Sequence, residues 1–523
     1  MSKRDDFIQN IQKGYSFQGS SLVLGGAMYQ DEAIAALQVK APLKMFNRHG
    51  LIAGATGSGK TKTLQQLAES LSSNGISVLM MDIKGDLSGI SQAGSSHPKI
   101  TERASKIGIE WNAEAFPVEF LTLSSEKGAR LRATISEFGP VLLSKILGLN
   151  DTQQGMVALV FKYCDYRNLP LLDIKDFRAV LQYISGDGKA EIQQEYGLIS
   201  SSSIGTIMRK LLELEQQGAD IFFGETSFEV EDLVRLDENG KGYINIIRLV
   251  DIQSKPKLFS TFMLCLLAEI YGKFPERGDI EQPELVIFID EAHLMFQEAS
   301  QALLEQVEAI IKLIRSKGVG IFFCTQNPAD VPEAVLSQLG MKIQHALRAF
   351  TANDRKMIKQ VSENYPLTDF YTVDQTITEL GIGEAFITLL NEKGIPTPLV
   401  RCLLCPPRSR MDVILPDEMN ELLAESKLVA KYNREIDHES AFEMLRKKVN
   451  QNNGTGQNTT DAGFAEQDQN QSSGMETFES IMKSPVTRTI AREVSRELTR
   501  GLLGVFGFSS SRTRSKKGGG LFF

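Results

Sequence analysis

The residues Gly54-Ala55-Thr56-Gly57-Ser58-Gly59-Lys60-Thr61 carry the spacing G-x-x-x-x-G-K-[ST]. Glycines at those intervals let backbone N–H groups converge on phosphate oxygens, and a helix beginning there adds the positive end of its dipole. Lys60 is then placed to reach the β- and γ-phosphates and Thr61 to hold Mg²⁺. Gly54, Ala55, Thr56, Gly57, Ser58, Gly59 and Thr63 complete the expected contacts to ATP. A glycine-rich turn that binds nothing is the alternative, and the flanks argue against it. Leu51-Ile52-Ala53 suits a buried strand before the loop. Leu64, Leu67, Ala68 and Leu71 recur at helical spacing after it, and Asn74-Gly75 supplies a stop.

A second run, Leu285-Val286-Ile287-Phe288-Ile289, is apolar throughout and ends in Asp290-Glu291, the form of a Walker B strand. Asp290 would help hold the Mg²⁺ that Thr61 touches, and Glu291 is placed to polarise a water for in-line attack on the γ-phosphate. That acidic pair favours hydrolysis over transfer to a small molecule. Gln326 follows the next apolar run, Val319–Cys324, where its amide could sense the γ-phosphate; a plain surface glutamine is the alternative. Arg315 closes the helix before that run. It suits either a helix C-terminus or a finger reaching a neighbouring subunit's nucleotide, with Lys317 as competitor. Asp82 ends another apolar run, Ser77–Met81, and is either a site acid or a turn acid. His293 suits packing or hydrogen bonding, and Arg348 and Arg355 suit solvated surface.

These groups need a framework. Apolar strand-like runs alternate with helical spacing along much of the chain, which predicts an α/β fold with a mostly parallel sheet covered on both faces. A short segment, 1–45, would pack as an edge strand or hairpin beside the core. The core occupies 46–134 and 236–405, interrupted by a helical insertion at 135–235. A helical extension follows at 406–449, then a linker at 450–475 dominated by Asn, Gln, Gly, Ser and Thr. The last part, 476–523, contains an amphipathic helix with Arg488, Arg492, Arg496 and Arg500 on one stripe.

The chain of 523 residues is too long for one core, and 42% hydrophobic with 23% charged residues is the balance of a soluble globular protein. A formal net charge of −8 speaks against non-specific nucleic-acid binding by the whole surface, while leaving room for a local basic channel. The five cysteines show little pattern, and Cys402-Leu403-Leu404-Cys405 lacks the second ligand pair a zinc site needs. No leader pattern opens the chain, and no stretch reaches the roughly 18 apolar residues that span a bilayer. A cytoplasmic protein without membrane contact is expected.

Taken together, several segments resemble the HerA/FtsK group of ring ATPases. They are Arg48-His49 ahead of the glycine loop, Asp82-Ile83-Lys84-Gly85-Asp86, Ile289-Asp290-Glu291-Ala292-His293, and Arg315-Ser316-Lys317-Gly318-Val319-Gly320 with Thr325-Gln326. Phe46 to Gly57, Gly139-Pro140, Leu149 to Gln153 and Arg496 to Gly504 resemble the bacterial YjgR-type members, described as having a helicase HerA-like C-terminal domain. The resemblance implies a RecA-like core, a homo-hexameric ring and DNA threaded through its pore. It implies an arginine acting in cis at Arg48 and one acting in trans at Arg315. HerA itself carries a larger N-terminal barrel that contacts a nuclease; about 45 residues precede the core here, so that partnership is not expected. Two functions follow: an ATP-driven helicase-like motor on DNA, or an ATP-dependent assembly or signalling protein acting on a protein partner.

Overall fold

The apolar runs that end in polar residues become adjacent strands of one sheet. The computed structural model describes residues 2–252, 255–278, 280–296, 301–434, 436 and 438–454. In chain order the strands are β1 (Ser21–Tyr29), β2 (Glu32–Pro42), β3 (Gly50–Ala53), β4 (Ser77–Asp82), β5 (Val118–Thr122) and β6 (Ala129–Arg130). They continue with β7 (Ile244–Arg248), β8 (Leu285–Ile289), β9 (Val319–Thr325), β10 (Met341–Gln344), β11 (Glu384–Leu389) and β12 (Val400–Leu404). The order across the sheet is β2-β1-β12-β11-β10-β3-β9-β8-β4-β7-β5-β6. From β10 to β6 every pairing is parallel. β3, β4, β8 and β9 are buried along their whole length, as strands covered on both faces must be.

The other end of the sheet departs from simple alternation. β10, β11, β12, β1 and β2 pair antiparallel. Two of those four pairings are hairpins: Gln30-Asp31 joins β1 to β2 and the turn around Asn391-Gly394 joins β11 to β12, both too short for a crossover. Helix α1 (Lys3–Gly14) precedes the first hairpin, opened by a reciprocal Ser2–Asp5 capping box. The Tyr15 hydroxyl fixes it to the sheet, 2.8 Å from the Pro398 carbonyl.

Between β6 and β7 lies a succession of helices from Ile135–Ile146 to Ser201–Gln216. The first is bent at Gly139, ahead of Pro140, which cannot continue the helical ladder. Residues through Lys447 form one compact unit, so the insertion and core share it. The last described helix, Ala441–Gly454, runs past residue 450, where the composition predicts a linker to begin. The rest of 450–475 and the arginine stripe at 488–500 lie outside the described residues.

The helix after the glycine loop, α2 (Lys60–Ser73), buries more than the apolar stripe its spacing predicts. Gln65, Gln66, Glu69 and Ser72 are buried as well. The segment 405–411 straps across this polar face. Glu69 accepts from the backbone N–H groups of Arg408 (2.7 Å) and Ser409 (3.1 Å), and Gln65 donates to the Arg410 carbonyl (2.9 Å). Burial raises the Glu69 pKa, opposed by those hydrogen bonds. Replacing Glu69 with Ala would leave two buried N–H groups without acceptors, so equilibrium denaturation should show a loss of about 3 kcal/mol. A loss below about 0.5 kcal/mol would mean that Glu69 does not anchor the strap.

Candidate active site

β3, β9, β8 and β4 are neighbours in that order and all parallel, so their C-terminal ends lie side by side. That places four polar segments along one edge: Gly54 onward after β3, Gln326 after β9, Asp290-Glu291 after β8, and Asp82 to Lys84 at the end of β4. The crevice outside the carboxyl ends of parallel strands is where ligands sit in such sheets.

The glycine loop is anchored at its base by Gly54 N–H donating to Thr325 and Ala55 N–H to Ala346. Gly59 then caps α2 at φ +107, in the left-handed region, and a Cβ there would lie 3.1 Å from the Gly383 nitrogen. The Lys60 ammonium folds over the loop and donates to the carbonyls of Gly54 (2.6 Å) and Ala55 (3.1 Å). A phosphate would take over those bonds. Burial, then the nearby Lys84 charge, lowers the Lys60 pKa. Thr61 stands half-buried in the first turn of α2. Thr63 lies deeper, its hydroxyl between the Gly59 carbonyl (3.2 Å) and His345 Nε2 (3.0 Å). Ser58 donates to the Ala55 carbonyl (2.7 Å), which shapes the loop from within.

The acids meet a cation that the motifs did not assign. Lys84 Nζ lies 2.5 Å from Glu291 Oε1 and 3.8 Å from Asp290 Oδ2. Burial raises the Asp290 pKa to about 6, against the pull of Lys84. Burial also works against ionising Glu291, but the Lys84 hydrogen bond and charge outweigh it, and its pKa is lowered. For Lys84 the same balance holds in reverse: burial opposes its charge, the two acids outweigh burial, and its pKa rises. Gln326 joins the loop to these acids. Its Nε2 donates to Glu291 Oε1 (3.3 Å) and its Oε1 accepts from Thr56 Oγ1 (3.3 Å). Glu291 itself sits at φ +46, a strained setting for a non-glycine residue. Among the described residues its buried Oε2 accepts no hydrogen bond; His293 Nδ1 stands 3.3 Å away without hydrogen-bond geometry.

That donor set suits Mg²⁺. Thr61 and Asp290 offer hard oxygen ligands, and among the described residues no cluster of three acids, histidines or cysteines could hold a metal alone. Mg²⁺ characteristically takes one or two protein oxygens and completes its shell with phosphate and water.

Asp82 is a turn acid. Its carboxylate accepts from the N–H groups of Gly85 (2.7 Å), Asp86 (3.2 Å) and Leu87 (3.3 Å), and so fixes the turn that presents Lys84. Burial and repulsion by Asp86 raise its pKa to about 6. The Lys-Gly-Asp signal was visible in the sequence, but only the pairing of β4 beside β8 shows which acids Lys84 faces.

Arg48 and Arg315 are not brought to this edge. Arg48 precedes β3 and Arg315 precedes β9, whereas the loop and Gln326 follow those strands. The seven residues of β9 span roughly 20 Å. β3 has four residues and spans roughly 13 Å, and the Arg48 guanidinium lies beside Gly394, so the structure does not bring Arg48 to the glycine loop where a cis contact was expected. Its neighbour His49 is a buried staple. The Ile321 N–H donates to Nδ1 (3.0 Å), so Nε2 carries the proton and donates to the Ile311 carbonyl (2.8 Å). Burial lowers its pKa to about 4, keeping it neutral. Arg315 is exposed, while Lys317 is engaged by Glu276 (3.0 Å) and the Tyr271 ring. Arg348 braces the chain by donating to the carbonyls of Thr378 and Leu380, and lines a surface hollow with Arg355. All five cysteines are buried and reduced. Among the described residues no helix is long and apolar enough to cross a membrane.

The model of the family described as helicase HerA-like C-terminal matches residues 28–512. The "DNA double-strand break repair helicase HerA" of Sulfurisphaera tokodaii is 25% identical over 358 residues, covering 67% of this chain and 64% of that one. The "DNA import protein CedB" of Sulfolobus acidocaldarius is 25% identical over 366 residues, covering 68% of this chain and 52% of that one. The chain thus spans less than two thirds of the length of both. Among solved structures, the bacterial conjugative coupling protein TrwBdeltaN70 superposes with a TM-score of 0.51 at 13% identity, over 78% of this chain and 94% of that one. This likeness gives the same RecA-like arrangement of a mostly parallel sheet between helices. With the family model covering nearly its whole length, the chain belongs to the helicase HerA-like C-terminal family.

Proposed function

We propose that this chain is an ATP-hydrolysing motor that acts on DNA as a homo-hexamer. The observation that carries hydrolysis is Gln326, which is bonded at once to Thr56 of the phosphate loop and to the acid Glu291. The loop N–H groups and Lys60 bind the triphosphate. Mg²⁺ held by Thr61 and Asp290 would neutralise charge on the phosphate oxygens. Glu291 accepts a proton from the attacking water as its oxygen bonds to the γ-phosphorus and the bond to ADP breaks. Gln326 orients that water and reports the state of the γ-phosphate. Lys84 must release Glu291 before it can act as base, so the Lys84–Glu291 pair sets a resting state.

The ring is supported by the position of Arg315, exposed at the opposite sheet edge, where it can serve only a neighbour's site. DNA as the track is supported by the names of the relatives, a DNA repair helicase and a DNA import protein.

Duplex or single-stranded DNA should stimulate ATPase turnover, with binding that weakens as salt rises. Turnover indifferent to every nucleic acid would favour the protein-directed alternative. Glu291→Gln should lower kcat by about 10²–10⁴ and retain nucleotide; wild-type turnover in that variant would remove Glu291 as base. The acid limb of kcat/KM reports the free enzyme. It should fall near pH 6, where Asp290 protonates. Lys84 favours the charged forms of both acids, so Lys84→Ala should move that limb to higher pH. An unmoved or lowered limb would contradict the assigned pair.

A further inference from the structure

β10 runs parallel to β3, so the chain leaving β10 comes out on the same sheet edge as the phosphate loop. The exit is tied to that loop: the His345 N–H donates to the Ala53 carbonyl (2.7 Å) and the Ala55 N–H donates to Ala346 (2.7 Å). Just beyond it, Phe350 stands 87% exposed. The backbone that carries its ring is fixed. The N–H groups of Phe350 and Thr351 donate to Asp354 Oδ2 (2.8 and 2.7 Å), and Thr351 caps the helix that follows, α3 (Ala352–Glu363).

Phe350 lines a surface hollow of about 500 Å³ together with Arg348, Arg355 and Lys359. Ala349 and the buried Ile358 add apolar lining, and helix α4 (Val373–Glu379) supplies the opposite wall. Pockets for small ligands run from roughly 300 to 1,000 Å³, so there is room for one nucleotide unit. In a chain of net charge −8, the described lining holds three cations against one acid, Asp374, and so favours an anion.

Arg348 commits its guanidinium edge to the carbonyls of Thr378 and Leu380, which leaves its face for stacking. Arg355 and Lys359, one turn apart on α3, are exposed and make no side-chain hydrogen bond or ion pair among the described residues. The opposite wall is already engaged. Asp374 Oδ1 accepts from the Gln375 N–H (3.0 Å), Gln375 Nε2 donates to Glu379 (3.1 Å), and the Thr378 hydroxyl donates to the Gln375 carbonyl (2.7 Å). Asp354, the acid beside Arg355, is held by the two N–H groups it caps. What the hollow offers is an aromatic face with two unengaged cations beside it.

We propose that this hollow holds one unpaired nucleotide of single-stranded DNA, its base stacked on Phe350 and its phosphates on Arg355 and Lys359. The inference rests on the DNA-motor reading above and adds where the track touches the subunit and in which form. Stacking on a side chain needs a bare base face, which an unstacked single strand presents and the inside of a duplex does not. Phe350 and both cations are exposed, and the exposed Lys356 continues the positive surface along α3, so a chain can run on past the hollow.

The test uses the full-length protein and fluorescence anisotropy at several salt concentrations. The probes are a labelled oligothymidylate, an abasic strand of the same length and a duplex of that length. Phe350→Ala should weaken oligothymidylate binding about fivefold or more and leave the abasic strand and the duplex as in the wild type. Phe350→Trp should keep the oligothymidylate affinity, because the stacking face remains. Arg355→Ala combined with Lys359→Ala should weaken both single strands and reduce the salt slope by about 0.7 per cation removed. Unchanged oligothymidylate binding in Phe350→Ala, or an equal loss with the abasic strand, would overturn the stacking site. Thymidine monophosphate that displaces the oligomer at an equal concentration of nucleotide units would make the hollow a free-nucleotide site and overturn the strand. A wild-type protein that binds duplex alone would overturn the subsite and leave the motor reading standing. One that binds no nucleic acid would sink the motor reading itself.

Discussion

Gathering like charges at one buried sheet edge is the constraint on which the site is built. Asp82, Asp86, Asp290 and Glu291 all arrive at the ends of parallel strands, and mutual repulsion helps raise Asp82 and Asp290. Buried carboxylates persist in charged form only when cations or hydrogen-bond donors answer them. Asp82 is answered by three backbone N–H groups, and Glu291 by Lys84 and Gln326. Asp86 Oδ1 is buried without a hydrogen-bond partner among the described residues, and Asp290 has the Glu291 N–H and Lys84 at 3.8 Å, so the Asp290 charge is answered in part. That shortfall suits a group whose intended partner is a divalent ion, because the added charge would be repaid on binding.

The same strands divide labour between their two ends. The C-terminal edge carries the glycine loop, Asp290, Glu291 and Gln326, and the N-terminal edge carries Arg48, His49 and Arg315. His49 is kept neutral by burial and ties the entry of β3 to β9 and to the helix Gln301–Ile314. Protonating the ring would take away the Nδ1 acceptor that the Ile321 N–H uses, while Nε2 would still donate to Ile311. Arg315, four residues before β9 begins, is thereby presented from a fixed base into solvent. A sheet roughly 20 Å deep along β9 keeps the glycine loop and its acids on one edge and the exposed Arg315 on the other.

How much of this was legible in the sequence depends on how local each signal is. The glycine loop, Asp290, Glu291 and Gln326 each sit at the end of an apolar run, and a run's end predicts a sheet edge without knowledge of neighbours. Strand order is not local. Lys84 lies in a polar turn like many others until β4 is seen beside β8, and Thr63 passes for a phosphate contact until His345 arrives from β10 to take its hydroxyl. The sequence also argues for helical spacing on α2 from its leucines, yet the buried Gln65 and Glu69 depend on a strap more than 330 residues away. Two of the antiparallel pairings come from short turns, which strand-helix alternation does not register, and the other two, β10–β11 and β1–β12, join strands separated by long stretches of chain.

That strap gives the site its last connection. Segment 408–410 is held by Glu69 and Gln65 of the phosphate-loop helix on one side. On the other side it meets the stretch that follows Lys84: Arg410 N–H donates to Gln92, Gly94 N–H to Arg408, and Ile414 N–H to Ser88 Oγ. Pro406, Pro407 and Met411 of the same strap wall an apolar recess beside Gly59. One continuous segment therefore touches the helix that opens at the glycine loop, residues 88–94 beyond the Lys84 turn, and the apolar recess beside Gly59. Because packed interiors are not freely compressible, the strap holds these three parts in one fixed arrangement.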